Sequence, residues 1–133
     1  MMATSDRRWL GVLVAVWGIA AVALGLWFTG SPAEARRRRL DERRVGDLQR
    51  LASAIDLHWT RTGTLPADLA ALSSQERPPA TRDPVQDSAY LYRVIDERRY
   101  ELCAGFERGR TDGFWTHPAG QHCFTLEARK VER

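Results

Sequence analysis

A run of uncharged residues, Trp9 to Phe28, constrains this chain more than any other feature. It reads WLGVLVAVWGIAAVALGLWF, and no charged side chain occurs between Arg8 and Glu34. Wound as a helix rising about 1.5 Å per residue, it is about 30 Å long, the thickness of a bilayer's hydrocarbon core. Trp9 and Trp27 stand near its ends, where amphipathic rings favour the membrane–water boundary. The expectation is a membrane span over residues 9–28, with residues 1–8 as a tail on one side and the rest of the chain on the other. A cleavable export leader is the rival reading, with Asp6-Arg7-Arg8 as its charged start and Ala33-Glu34-Ala35 as a small-x-small cut. The apolar run exceeds the usual leader core of about 7–15 residues, which favours a retained anchor. Within the span Gly11, Gly18 and Gly25 recur every seven residues, a spacing that lets two membrane helices approach closely and pair.

The flanks and the cysteines disagree about orientation. Arg7 and Arg8 precede the span, whereas Arg36, Arg37, Arg38, Arg39, Arg43 and Arg44 come after it. Counting basic residues puts the C-terminal side in the cytoplasm. The two cysteines, Cys103 and Cys123, argue for export. Tyr100, Leu102, Ala104 and Phe106 alternate along one predicted strand, and His122, Phe124 and Leu126 along another. If both apolar sets face the same core, the cysteines leave the sheet on its other side, within reach of each other. A disulfide between them closes a loop of about 20 residues, worth about 3 kcal/mol on the loop-entropy model. Such a bond belongs to an oxidising compartment.

Beyond the span lies about one small domain with a helical neck, residues 29–62 and then 63–133 of a 133-residue chain. The formal charge of +3 is spread over a mixed surface, which is weak grounds for a nucleic-acid partner, and none is expected. Pro32, with Ser31 as cap and Glu34 three residues on, should open a helix running to about Thr60. Its first half, EARRRRLDERR, is polar almost all round. Its second half carries a stripe at spacings of 3 and 4: Val45, Leu48, Ala52, Ile55 and Trp59, with Leu51 beside it. Asp47, Arg50 and Asp56 fall off that stripe. Gly63 should end the helix, and a short second helix is expected over residues 67–72. Tyr90–Ile95 and Tyr100–Phe106 read as a hairpin, with a third strand from His122 to Ala128 and Phe114 and Trp115 as anchors in the loop before it.

Chemistry is thinly represented. His117, His122, Cys103 and Cys123 match no zinc-ligand spacing, and adjacent strand residues point to opposite faces. Asp83, Asp87, Glu107 and Asp112 lie in loops without the spacing of a calcium loop. His58, beside Trp59, reads as a boundary residue. No nucleophile–base set or phosphate-binding glycine loop is present in the sequence, so no enzyme, metal or cofactor is expected.

The order of parts resembles a known family. Gly63-Thr64-Leu65-Pro66, Leu69 and Leu72 match a "G-x-(L/Y)-P-x-x-L-x-x-L" segment. Asp83, Pro84, Tyr90 and Tyr92 fit a "D-P-x-G-x-x-Y-x-Y" segment, with Asp87 where that family has glycine. In these features, over about Asp41 to Phe106, the chain resembles the type II secretion pseudopilins, the major pseudopilin above all, and type IV pilins more broadly. The resemblance implies a pilin-like α+β fold, a long helix packed on a small antiparallel sheet outside the inner membrane. It also implies partners among envelope or secretion proteins. The family's maturation signal is missing: Gly11 is followed by Val12 rather than an aromatic residue, and Val16 stands where a glutamate belongs. An accessory component with an uncleaved tail is therefore expected, rather than a filament subunit. Two readings of other classes stand beside it. One is a cytoplasm-facing regulator that uses Arg36–Arg44 on nucleic acid or anionic lipid. The other is a periplasmic ligand-binding module whose pocket is lined by Tyr90, Tyr92, Phe114 and Trp115.

Overall fold

The structure, a computed structural model, describes residues 3–132. The chain forms two compact units, Met1–Arg36 and Arg37–Arg133. The first is dominated by α1 (Ala3–Thr29), a helix of 27 residues. Its side chains from Arg7 onward are all exposed, and it is long and apolar enough to cross a membrane. Residues 3–8 of the expected tail are helical, and residues 1–2 lie outside the described residues. Gly11, Gly18 and Gly25 are open: an added Cβ would meet nothing within 4 Å at any of them.

A second helix, α2 (Pro32–Thr62), comes directly after it. Ser31 caps it, its hydroxyl accepting from the Glu34 N–H at 3.2 Å. Gly63 stops it at φ 74°, a left-handed conformation that costs glycine nothing, and its N–H bonds the Trp59 carbonyl at 2.8 Å.

The second unit has an α+β layout. The strands β1 (Leu91–Val94), β2 (Arg99–Phe106) and β3 (Gly120–Glu127) form one antiparallel sheet in the order β1-β2-β3. The turn between β1 and β2 is held by Asp96. Its carboxylate accepts from the Arg98 and Arg99 amides and sits at about 2 as a result. Tyr100, Leu102, Ala104 and Phe106 of β2 and Phe124 of β3 turn toward α2, where Leu48, Leu51 and Ile55 are fully buried. Burying each such aliphatic side chain contributes roughly 1.5–3 kcal/mol. Trp59, at the end of the stripe, is half-buried against this core with the Arg98 guanidinium 5.3 Å above its ring.

Two local expectations need correcting. The segment expected as a helix over residues 67–72 is a 3-10 turn, Leu69–Ser74. Asp68 caps it by accepting the Ala71 N–H at 3.0 Å, and the three-residue spacing of buried Leu69 and Leu72 suits a three-residue turn. Phe114 is not an anchor. It is 68% exposed, and Trp115 alone reaches the core, packing on Phe124 with ring centres 4.7 Å apart.

Candidate functional site: a buried charge network on the helix

The polar half of α2 is not polar all round. Asp41, Arg44 and Asp47 are buried with the core, and Arg44 is 1% exposed. Position decides this. Asp41, Arg44, Leu48, Leu51 and Ile55 succeed one another at spacings of 3 and 4, so they continue the apolar stripe toward the helix start. Arg44 therefore leaves the Arg36–Arg44 cluster that the sequence suggested for nucleic acid or lipid. Its Nε donates to Asp83 Oδ2 at 2.5 Å, and its Nη1 donates to Asp41 Oδ1 at 2.9 Å. Nη2 is buried with no hydrogen-bond partner.

The carboxylates carry the network outward to two loops. Asp41 accepts the Glu107 N–H at 3.0 Å and the Arg108 N–H at 2.9 Å, fixing the segment after β2. Asp83 accepts the Val85 and Gln86 amides at 2.8 and 2.9 Å, making the turn of its own loop. Asp47 takes the Tyr90 hydroxyl at 2.9 Å and Arg50 at 3.2 Å. One cation and three carboxylates thus join α2 to the two loops that frame the sheet. Burial alone would raise the Asp83 carboxyl. The Arg44 guanidinium and the two amides outweigh it and hold the group below its ordinary value. Burial likewise opposes the charge on Arg44, but Asp83 and Asp41 prevail and raise it. The Tyr90 hydroxyl is pushed well up by burial and by its bond to Asp47.

The same loop contains a backbone exception. Asp87 adopts φ 51°, in the left-handed region that glycine occupies without strain. Its N–H bonds the Asp83 carbonyl at 3.1 Å, and its carboxylate takes Arg82 Nε at 2.9 Å.

Cys103 and Cys123, singled out in the sequence, pair directly across β2 and β3 and are joined as a disulfide, with Cα atoms 4.0 Å apart. Glu101 lies beside them with its carboxylate on Arg93, but bonded cysteines offer no thiolate to a metal. His117 is buried, stacked on Phe106 at 3.6 Å, with Nδ1 3.1 Å from the Pro118 carbonyl. His122 meets Phe124 instead, edge to face. The four loop acids are each spent on an arginine: Asp83 on Arg44, Asp87 on Arg82, Glu107 on Arg37 and Asp112 on Arg110. The aromatic set is engaged piecemeal. Tyr90 bonds Asp47, and the Tyr92 hydroxyl bonds the Pro66 carbonyl at 2.8 Å with its own ionisation pushed up to about 12 by burial. Trp115 packs on Phe124 while Phe114 lies open, so these four do not build a pocket wall together.

A cleft of about 360 Å³ opens between α2 and the loop after β2, lined by Arg38, Glu42, Arg108, Arg110, Asp112 and His117 among others. Cations and acids both line it, which fits a solvated seam better than a site for one charge type. Sequence reasoning missed Asp41, Arg44, Asp47 and Tyr90 as a unit. The available signal was the helical phase of the first three, which places them on or beside the stripe despite their charge. No family model, curated protein or solved structure matches the chain.

Proposed function

We propose that this protein is a single-pass protein of the bacterial inner membrane whose pilin-like domain lies in the periplasm, as an accessory or structural component of a cell-envelope or secretion assembly. The Cys103–Cys123 bond carries the reading, because a disulfide in a small domain persists where the compartment is oxidising. An apolar α1 without an acid from residue 9 to residue 29 supports an anchor rather than a filament subunit, since a buried carboxylate in lipid persists only where a partner compensates it. The charge network supports a structural role. Its groups are consumed in fixing loops, and none is free to act as nucleophile or base.

Alkaline phosphatase fused after Arg133 should be active and β-galactosidase inactive at the same place. The reverse pattern overturns the periplasmic reading and restores the cytoplasm-facing one. Intact mass of the membrane-extracted protein should retain Arg7 and Arg8, and a loss of residues 1–11 would bring the filament reading back. In-cell crosslinking through the exposed domain should then capture envelope proteins.

A further inference from the structure

Six arginines crowd the first turns of α2, and the structure divides them. Arg44 is inside the domain, and Arg37 lies 3.6 Å from Glu107. Arg36, Arg38, Arg39 and Arg43 are exposed, and their side chains have no ion pair or hydrogen bond among the described residues. Three of these four share a face. Arg36, Arg39 and Arg43 recur at spacings of 3 and 4, and their helical phase is turned away from Arg44, Leu48 and Leu51. Arg38 stands apart, in the mixed-charge cleft. The row begins seven positions after Thr29, the last residue of α1.

We infer that Arg36, Arg39 and Arg43 bind the phosphates of anionic phospholipid headgroups in the leaflet where α1 ends. A guanidinium presents a planar fork of donors that matches a phosphate, and it gives up its water more readily than an ammonium does. A row of three along one helix face is about 10 Å long, on the scale of neighbouring headgroups rather than of a duplex groove. Only seven positions of chain separate its first member from the end of an apolar helix of bilayer length, a tether short enough for the row to reach that surface. The inference rests on reading α1 as a membrane span. It does not depend on which side the domain occupies, because headgroups line both leaflets. It also gives the exposed arginines a use that the basic-residue count treats only as an orientation signal.

The test uses the full chain in nanodiscs of phosphatidylcholine containing graded phosphatidylglycerol, with co-released lipids identified by native mass spectrometry. Wild-type protein should retain phosphatidylglycerol in preference to phosphatidylcholine. The variant Arg36→Gln/Arg39→Gln/Arg43→Gln should lose about a hundredfold of that preference, each arginine near an anionic surface contributing about a fivefold factor. Arg61→Gln, an exposed arginine in the last turn of α2, should leave it unchanged. An unshifted thermal transition in the triple variant separates lost binding from lost folding. Equal preference in wild type and triple variant overturns the inference, as does an equal loss from Arg61→Gln. Displacement of the lipid by millimolar inorganic phosphate would reassign the row to a free anion. A gel shift of duplex DNA by wild type but not by the triple variant would reassign it to nucleic acid. None of these outcomes alters the phosphatase-fusion result, so this inference and the proposed function fail separately.

Discussion

The two halves of α2 hold the same domain by different chemistry. From Leu48 to Ile55 the helix meets the sheet with aliphatic side chains, and Leu48, Leu51 and Ile55 are 0% exposed. From Asp41 to Asp47 it meets two loops with one guanidinium and two carboxylates, and one of those loops supplies a third carboxylate, Asp83. The apolar half is non-directional, and neighbouring hydrophobes can substitute with modest repacking. The charged half is directional. Each member satisfies another, and removing one leaves a buried charge without its counterpart. The first half supplies adhesion, and the second specifies which loop goes where.

Placing a charge in the apolar half should do the most damage. Ile55→Asp buries a carboxylate with no partner and is expected to cost at least about 4 kcal/mol, seen as loss of the cooperative transition in urea. Survival of a wild-type midpoint would mean the stripe is not the core contact. Arg44→Met keeps the volume but strands Asp83 and Asp41, for an expected loss of about 3–5 kcal/mol. A change below about 1 kcal/mol would make the two halves chemically equivalent and end the comparison.

Acid should separate the halves without mutation. Asp83 is held below its unfolded value, so its contribution is present above roughly pH 4 and is lost as pH falls through the lower folded value. Asp56 works in the opposite sense. Burial raises its carboxyl despite a bond from the Arg129 N–H, so it favours the fold most at low pH and less as pH rises through that raised value. Urea midpoints measured from pH 2.5 to 7 should fall on the acid side, and Asp83→Asn should flatten that limb. An unchanged limb would assign the acid sensitivity elsewhere. Tyr90→Phe removes one buried hydrogen bond to a carboxylate and should cost about 1.5–3 kcal/mol. Arg50→Ala should shift stability by no more than about 0.5 kcal/mol, because its pair with Asp47 reaches it through a side chain that is 72% exposed.

The same contrast explains what could be read from the sequence. The apolar stripe, the Gly63 stop and the three strands were legible, because hydrophobic period and turn chemistry are local signals. Strand alternation put Cys103 and Cys123 on one side of the sheet, and the even cysteine count favoured a bond, while the pairing of β2 with β3 that sets them opposite each other came from the fold. Arg44 was not legible. Six arginines in nine residues look like one solvated cluster, and nothing nearby in the chain announces that Asp83, 39 positions later, claims one of them. The charge on Asp47 hides a helical phase that sits beside the stripe. Phe114 and Trp115 are indistinguishable as neighbours in sequence, and only the fold decides which one reaches Phe124.

The distances along the chain between bonded groups have a kinetic consequence. Asp41 receives amides 66 and 67 residues downstream, and Asp56 receives one 73 residues downstream. These ties between α2 and the rest of the domain cannot close until the chain has been delivered as far as Arg108 and Arg129. During synthesis and any passage across a membrane, the helix waits with its leucines and its one inward arginine unsatisfied, and contacts this remote in sequence form slowly. Cys123 lies on β3, the last of the three strands in chain order, so the disulfide cannot form until both cysteine-bearing strands have been delivered.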